Sequence, residues 1–142
     1  MKAILLCFTF LLAFSSVDAS VYYLINGSVL LNDTNFDQAR LDFGHLLVNF
    51  DHGCRWCHVF RPFYNLARIE AANASLNVTF GWMDIKKNSL TKEKYNITHH
   101  PTQMLFIRKY AESPLIYNGT KNSNDLLAWL NVQLPIIHEL GY

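Results

Sequence analysis

Short runs of strand-forming residues recur along the chain, each bounded by polar or turn-forming residues. The runs occupy Val21–Ile25, Leu46–Phe50, Val78–Met83, Thr102–Ile107 and Leu115–Tyr117. Leu46–Phe50 and Val78–Met83 are apolar along most of their length, which is typical of strands that are covered on both faces. The pattern therefore predicts a sheet with a buried centre.

Helical spacing of apolar residues fills the segments between these runs. Thr34 is the expected N-cap of the first helix, and Gly44 is expected to end it. Pro62 should kink the long second helix. The predicted helices run from the Thr34 cap to Phe43, from Cys54 to about Asn73, from Ser89 to Tyr95 and from about Ser123 to Val132. Alternating strands and helices predict an α/β fold in which helices flank a central mixed sheet.

The first 19 residues have the layout of a secretory signal peptide. Lys2 gives a basic start, an apolar run from Ala3 to Phe14 follows, and Val17 and Ala19 precede a cleavage site. The apolar run is shorter than the ~20 residues that a membrane-spanning helix needs. We expect cleavage after Ala19 and a single domain over residues 20–134.

Residues 135–142 form a C-terminal tail that is apolar for a chain end. We expect this tail to cover the core or to dock on an assembly partner. No apolar run after residue 19 is long enough to cross a bilayer, so no transmembrane segment is expected in the mature chain. The formal net charge of +1, without a basic stripe, argues against a nucleic-acid partner.

Six Asn-x-Ser/Thr triplets predict a glycoprotein of the secretory pathway. The acceptor residues are Asn26, Asn32, Asn73, Asn77, Asn96 and Asn118. Asn73 and Asn77 lie too close together to be glycosylated with equal ease. The triplets and the signal peptide together predict residence in the endoplasmic reticulum lumen or outside the cell.

Cysteine usage points to redox chemistry. Removal of the signal peptide takes Cys7 with it, which leaves Cys54 and Cys57. A bridge across so short a loop contributes about 2 kcal/mol on the chain-entropy model, so it is a poor structural staple. A Cys-x-x-Cys pair that follows a buried strand and opens a helix is well placed for disulfide exchange.

The expected roles of the two cysteines follow from this position. Unpaired N–H groups and the helix dipole stabilise a thiolate at Cys54, and the adjacent Arg55 adds a positive charge. Cys54 is therefore the expected attacking thiol. Cys57, one turn later and more buried, is expected to resolve the mixed disulfide. This chemistry requires no cofactor and no metal.

Several segments in register resemble the thioredoxin-like fold, and in particular a single catalytic-type domain of the protein disulfide isomerases. They are Asn35–Asp37, Leu47–Phe50, Pro62, His100–Phe106 and Tyr117–Gly119, beside the cysteine pair. The resemblance covers about Val29 to Leu134. It implies a thiol–disulfide oxidoreductase that acts on cysteines of secretory-pathway proteins.

The resemblance also implies a substrate-binding surface beside the cysteines. Pro101 should be cis and pack next to the disulfide, which leaves a backbone edge for an extended peptide. His100 should face the cysteines, and Trp56 lies within the motif itself. Trp56, His100 and Pro101 are therefore the expected substrate-binding residues.

Two departures from the family pattern affect the expected rate of disulfide exchange. The turn before Cys54 is one residue short, and Asn49 stands where relatives bury an Asp or Glu that relays protons to the second cysteine. Asn49 cannot titrate, so deprotonation of Cys57 should be slower unless His52, His58 or water substitutes. Asn49 and Arg55 are thus the expected modulating residues.

Two other cofactor hypotheses use the same residues. Cys54–His58 matches the C-x-x-C-H signature of covalent haem attachment, with Met83 or Met104 as a second axial ligand. Nothing else in the sequence requires haem, and the proline segment would remain unexplained. The two cysteines with His52, His58 or His100 supply enough ligands for a zinc ion. Burial of the second thiol, however, argues against tetrahedral coordination at this site.

The main alternative function is a non-catalytic interaction module. A domain of this fold could bind a partner in a secreted glycoprotein assembly. The contact would use the surface beside the cysteines or the apolar tail. The altered motif, the missing carboxylate and the dense glycosylation triplets favour this alternative.

Overall fold

A computed structural model describes residues 20–108 and 113–139, with side-chain surroundings up to residue 135. The predicted signal peptide, residues 1–19, lies outside the described residues. Over the described ranges, no helix combines the length and the apolar character that crossing a membrane requires.

The described residues form a six-stranded mixed sheet with four helices. The strands are β1 (Leu24–Ile25), β2 (Ser28–Leu31), β3 (His45–Asp51), β4 (Thr79–Asp84), β5 (Thr102–Ile107) and β6 (Leu115–Ile116). The helices are α1 (Phe36–Phe43), α2 (Arg55–Asn73), α3 (Ser89–Lys94) and α4 (Ser123–Glu139). The strand order is β1-β2-β4-β3-β5-β6, with β3 parallel to β4 and antiparallel to β5. This arrangement confirms the predicted α/β fold. β3 lies in the interior of the sheet, and the cysteine motif follows directly after it.

The predicted strand Val21–Ile25 is wrong in its extent. Only Leu24 and Ile25 of that segment pair, with Val29 and Ser28 on β2. Asn26 and Gly27 turn the chain between them, with φ values of 49° and 79°. β2 then pairs in parallel with β4. The N-terminal segment thus forms a hairpin, and its second strand, β2, was not predicted from the sequence.

The predicted cap of α1 is also wrong, because the Asn32 side chain does what was expected of Thr34. The Asn32 Oδ1 accepts hydrogen bonds from the backbone N–H groups of Thr34 and Asn35, at 2.9 and 3.0 Å. α1 begins at Phe36, after a residue whose side chain makes no capping bond. Gly44, with φ of 69°, ends the helix as predicted.

The last helix is longer than predicted, since it passes Val132 and continues to Glu139 with Pro135 inside it. Leu126, Leu130 and Leu134 are buried at a spacing of four residues. Continued burial of this apolar stripe offsets the cost of a proline in the helix, about 3 kcal/mol. The predicted tail, 135–142, therefore begins within α4.

The two faces of the sheet have separate cores, because successive side chains of a strand point to opposite sides. Leu47 packs with α2 and α4, against residues such as Phe60 and Leu126. Val48 and Phe50 pack on the other face. Asn49 shares the face of Leu47, so this polar residue of β3 points toward α2.

Candidate redox site

Cys54 is the N-cap of α2, and it forms a disulfide with Cys57 one turn later. The two Cα atoms are 4.9 Å apart. The Cys54 Sγ also accepts a hydrogen bond from the Cys57 backbone N–H at 3.0 Å. Cys57 is fully buried and Cys54 is partly exposed. A thiolate on Cys54 would keep both this hydrogen bond and the favourable helix N-terminus, which lowers the free energy of the reduced form.

An ion pair beneath the motif fixes the short turn before Cys54. Asp51, at the end of β3, is fully buried. Its carboxylate accepts from the Arg61 Nε and Nη2 at 2.7 and 2.8 Å, and from the Gly53 N–H at 2.7 Å. Gly53 has φ of 78°, a conformation that favours glycine. Burial alone would raise the pKa of Asp51, but the hydrogen bonds from Arg61 and Gly53 lower it below its ordinary value.

The segment before β5 lies against the cysteines. The His100–Pro101 peptide bond is cis, in agreement with the prediction, and Pro101 is buried. The His100 carbonyl oxygen is 3.9 Å from the Cys54 Sγ. A cavity of about 340 Å³ opens beside them. It is lined by Trp56, Val59, Phe60, His99, His100, Pro101 and Lys121. The structure therefore brings together all three residues predicted to bind substrate.

Two histidine rings meet beside the disulfide. The rings of His52 and His100 are in edge-to-face contact, with centroids 4.3 Å apart. The Nδ1 atoms of both are buried and have no hydrogen-bond partner in the described part of the chain. Burial and the neighbouring His52 lower the pKa of His100 below its ordinary value. His100 is thus held toward its neutral form at neutral pH.

The three remaining residues of the motif lie on the open side of α2. Trp56 is 66% exposed, and the Arg55 guanidinium lies 5.9 Å from its ring centre. The His58 Nδ1 is 3.1 Å from the Arg61 Nη1, so its ring turns toward the Asp51 ion pair. Arg55 thereby adds positive charge near the helix start, and Trp56 presents an apolar surface beside the cleft.

The side-chain partners of Asn49 were not predicted from the sequence. The fully buried Gln103 donates to the Asn49 Oδ1 at 2.7 Å, and the Gln103 Oε1 accepts from the Lys121 Nζ at 2.5 Å. Burial of the ammonium lowers the pKa of Lys121. The Asn49 Nδ2 is buried without a partner among the described residues. Asn49 is therefore the first residue of a chain of polar contacts that ends in the Lys121 ammonium.

The six asparagines of the Asn-x-Ser/Thr triplets are all exposed. They lie in turns or loops or, for Asn73, at the last residue of α2. Exposure is required for modification, so the glycosylation prediction is compatible with the positions of all six. Glycosylation itself stays a prediction.

We expect the Cys54–Cys57 pair to be an oxidising one. The helix N-terminus, the Cys57 N–H and Arg55 all favour the thiolate and hence the reduced form. The midpoint potential should therefore lie nearer the roughly −180 mV of protein disulfide isomerase than the roughly −270 mV of thioredoxin. Equilibration with glutathione buffers, followed by quantification of free thiols, measures it. A value below about −270 mV would contradict the expected stabilisation of the thiolate.

Several known proteins are similar to this chain in sequence and in structure. The sequence model of the thioredoxin family, described as "Thioredoxin", matches residues 27–132. Chicken protein disulfide-isomerase is 24% identical over 106 residues, which are 74% of this chain and 21% of that protein. The chain thus spans about a fifth of the length of this curated relative.

Solved structures show the same fold. The first thioredoxin domain of mouse protein disulfide-isomerase A4 has a TM-score of 0.72 at 21% identity, over 83% of this chain and 86% of that one. A zinc-bound form of human ERp44 has a TM-score of 0.64 at 24% identity, over 73% of this chain and 30% of that one. With the family match over residues 27–132, these similarities confirm the resemblance seen in the sequence. The chain belongs to the thioredoxin family.

Proposed function

We propose that this domain is a thiol–disulfide oxidoreductase that acts on cysteines of secretory-pathway proteins. The observation that carries the proposal is the position of the Cys54 sulfur. It lies at the start of α2, accepts the Cys57 N–H, and is 3.9 Å from the carbonyl oxygen that precedes the cis-proline. This arrangement combines an activated sulfur with a backbone group able to align a peptide.

In the reducing direction, exchange takes two steps at this pair. The Cys54 thiolate attacks one sulfur of a client disulfide, which forms a mixed disulfide and releases the other client sulfur as a thiolate. The Cys57 thiolate then attacks Cys54, which restores the Cys54–Cys57 bond and releases the second client thiolate. Two electrons pass from the enzyme dithiol to the client, and the reverse sequence oxidises a client dithiol.

A client segment has a defined place to bind. The cavity between Trp56 and Pro101 is lined by neighbours of the disulfide, and its lining is mainly apolar and aromatic. A segment extended along Pro101 would place its cysteine sulfur next to Cys54. Since backbone groups give affinity in this mode and side-chain pockets give selectivity, Trp56 would favour clients with apolar residues near the cysteine.

Restoring a carboxyl group at residue 49 should accelerate the second step. Asn49→Asp supplies a titratable group where the family has its proton relay, and general acid–base catalysis contributes about 10²-fold or more. We expect release of the mixed disulfide to rise at least about tenfold near neutral pH. Single-turnover quenching with a disulfide peptide measures this rate. Asn65→Asp is the matched control, because Asn65 lines the same small cavity as Asn49 but lies on α2. Equal rates for Asn49→Asp and the wild type would argue against proton transfer as the slow step.

The proposed location is the endoplasmic reticulum lumen or the extracellular space. Its support is the signal-like first 19 residues together with six exposed acceptor asparagines. Expression of the full chain in mammalian cells tests it: digestion with an N-glycosidase should lower the apparent mass. An unshifted band, with the protein recovered from the cytosol, would overturn the location.

Trapping of clients tests the function directly. The Cys57→Ala variant keeps the attacking sulfur and lacks the resolving one, so mixed disulfides should accumulate through Cys54. Non-reducing electrophoresis after acid quenching should show adducts that dithiothreitol removes. The Cys54→Ala/Cys57→Ala double variant is the control. Adducts equally abundant in the control, or absent from both, would reject the proposal.

The alternative function, a non-catalytic interaction module, has one structural observation in its favour. α2 presents an exposed apolar stripe that starts in the motif and continues along the helix. The stripe consists of Trp56, Val59, Phe63, Leu66 and Ile69, each more than a third exposed. A partner seated on this stripe would use the same end of the domain without any exchange of disulfides.

A further inference from the structure

We propose that the reduced form of this domain binds one zinc ion through His52, Cys54 and Cys57. One ligand atom from each of these residues lies within 4.8 Å of the others. The inference rests on the proposed function in one respect, because the ion takes the same dithiol that would carry out exchange. It differs from the expectation, based on the sequence, that the site holds no metal.

The spacing of the three ligand atoms suits a tetrahedral ion. With Zn–S bonds of about 2.3 Å and Zn–N bonds of about 2.0 Å, neighbouring ligands of one zinc ion are about 3.3–3.8 Å apart. The largest separation among the three ligand atoms, at most 4.8 Å, therefore exceeds the separation in a zinc site by about 1 Å. Rotation of the His52 side chain and separation of the two sulfurs after reduction supply changes of that size.

The short turn before the motif is what brings His52 to the sulfurs. Gly53, with φ of 78°, reverses the chain between His52 and Cys54. The Gly53 N–H donates to Asp51 at 2.7 Å, which holds the turn on the buried ion pair. His52 is therefore anchored on both sides, by β3 and by α2. A site supported by rigid elements gives up little conformational entropy when it binds an ion.

Unsatisfied imidazole nitrogens are the second observation that points to a ligand. The Nδ1 of His52 is buried and lacks a hydrogen-bond partner within the described ranges. The same is true of His100, whose ring packs against His52 at 4.3 Å. A second imidazole thus packs against the one in the cluster, and its own nitrogens lie outside the group of ligand atoms within 4.8 Å. Two thiolates with imidazole nitrogens form a donor set that zinc prefers over harder cations.

Burial of Cys57 does not close the site to an ion. Cys57 is fully buried, but its sulfur is bonded to that of Cys54, which is partly exposed. An ion that enters from the side of Cys54 and His52 meets both sulfurs without outward movement of Cys57. Bound there, it would occupy the position from which Cys54 attacks and so would block exchange.

Binding is coupled to the redox state of the pair. A reductant, either a dithiol or a phosphine with water, must first supply two electrons and two protons, which open the Cys54–Cys57 bond. Zinc then replaces the two thiol protons, with no change in oxidation state. The oxidised protein has no thiolates to offer, so it should not bind the ion at this site.

Zinc titration of the mature chain, residues 20–142, tests the proposal. The protein is reduced with a phosphine, and bound zinc is measured with a competing chromophoric chelator. We expect one zinc per chain in the reduced form and none in the oxidised form. His52→Ala should weaken binding at least about tenfold, since even residues behind the ligands cost 10–100-fold when lost. Cobalt in place of zinc should give a thiolate-to-metal charge-transfer band in the reduced protein.

His58→Ala is the matched control, because His58 adjoins Cys57 in sequence but turns toward Arg61. Its affinity should equal that of the wild type, and alkylation of both thiols should abolish binding without any substitution. Weak binding that is the same in both redox forms, or unaffected by His52→Ala, would overturn the proposal. So would half an equivalent per chain. Exchange is assayed separately in the presence of a chelator: active protein that binds no zinc rejects this inference alone, whereas inactive protein that binds zinc rejects the proposed function.

Discussion

Replacing Cys54 with alanine is expected to reduce the rate of insulin reduction to the uncatalysed background. The variant loses the sulfur that the helix N-terminus and the Cys57 N–H activate. Cys57 cannot take its place, because it is fully buried and cannot reach a client disulfide. At neutral pH a free thiol with an ordinary pKa is only a few per cent thiolate. The remaining thiol therefore lacks access as well as activation. The turbidity of reduced insulin measures the rate.

The matched variant in this assay is Cys57→Ala, which has the same loss of the disulfide and one remaining sulfur. It should complete the first step and stop, so it yields a single burst of mixed disulfide without turnover. Cys54→Ala should give no burst. Equal insulin reduction by the wild type and Cys54→Ala would reject the enzyme and favour the interaction module. Binding of a partner through the apolar stripe of α2 would then be lost in Leu66→Glu but kept in Cys54→Ala.

The central strands and the long helix could be predicted from the sequence because their signals are local. β3 and β5 are short apolar runs, and α2 has one continuous helical pattern that follows the cysteine. The N-terminal hairpin was missed although its signal was present. Asn26-Gly27 adopts positive φ at both residues, as the tightest hairpin turns require. Asn26 was interpreted only as a glycosylation acceptor, so neither the turn nor the second strand of the hairpin was predicted.

Part of the candidate site could also be predicted from the sequence, because its signals are local. The cysteine pair and the cis-proline segment are short motifs that resemble a known family. The hydrogen-bond partners of the buried polar residues could not be predicted from the sequence. Asn49 contacts Gln103 only because the register of β3 and β5 places them side by side. Lys121 reaches Gln103 from a loop outside the sheet. Pairs this distant in sequence depend on the packing of the whole domain.

The second large effect is expected from the ion pair beneath the motif. Asp51→Asn should lower the free energy of unfolding of the oxidised protein by about 2–4 kcal/mol at pH 7. Asp51 is fully buried, and the substitution leaves the Arg61 guanidinium without its bidentate partner. Loss of one partner of a buried pair costs about 3–5 kcal/mol. We expect somewhat less here, because 35% of the Arg61 side chain is exposed. Urea unfolding measures the difference.

The pH dependence of the free energy of unfolding shows whether the Asp51 carboxylate causes this loss of stability. Hydrogen bonds from Arg61 and Gly53 hold the folded pKa of Asp51 below its unfolded value. Its contribution is thus complete above the unfolded pKa, about 3.9, and is lost as pH falls through the folded value. Protonated Asp resembles Asn in shape, so the gap between the wild type and Asp51→Asn should shrink as the pH falls below about 4. Asp37→Asn is the control: Asp37 pairs with Arg40 at 2.7 Å, and although the Arg40 side chain is only 8% exposed, the Asp37 carboxylate is 73% exposed and already solvated. Its loss should therefore cost less than the loss of Asp51. An Asp51→Asn gap as small as that of Asp37→Asn, or one unchanged at low pH, would show that the ion pair does not hold the turn that presents Cys54.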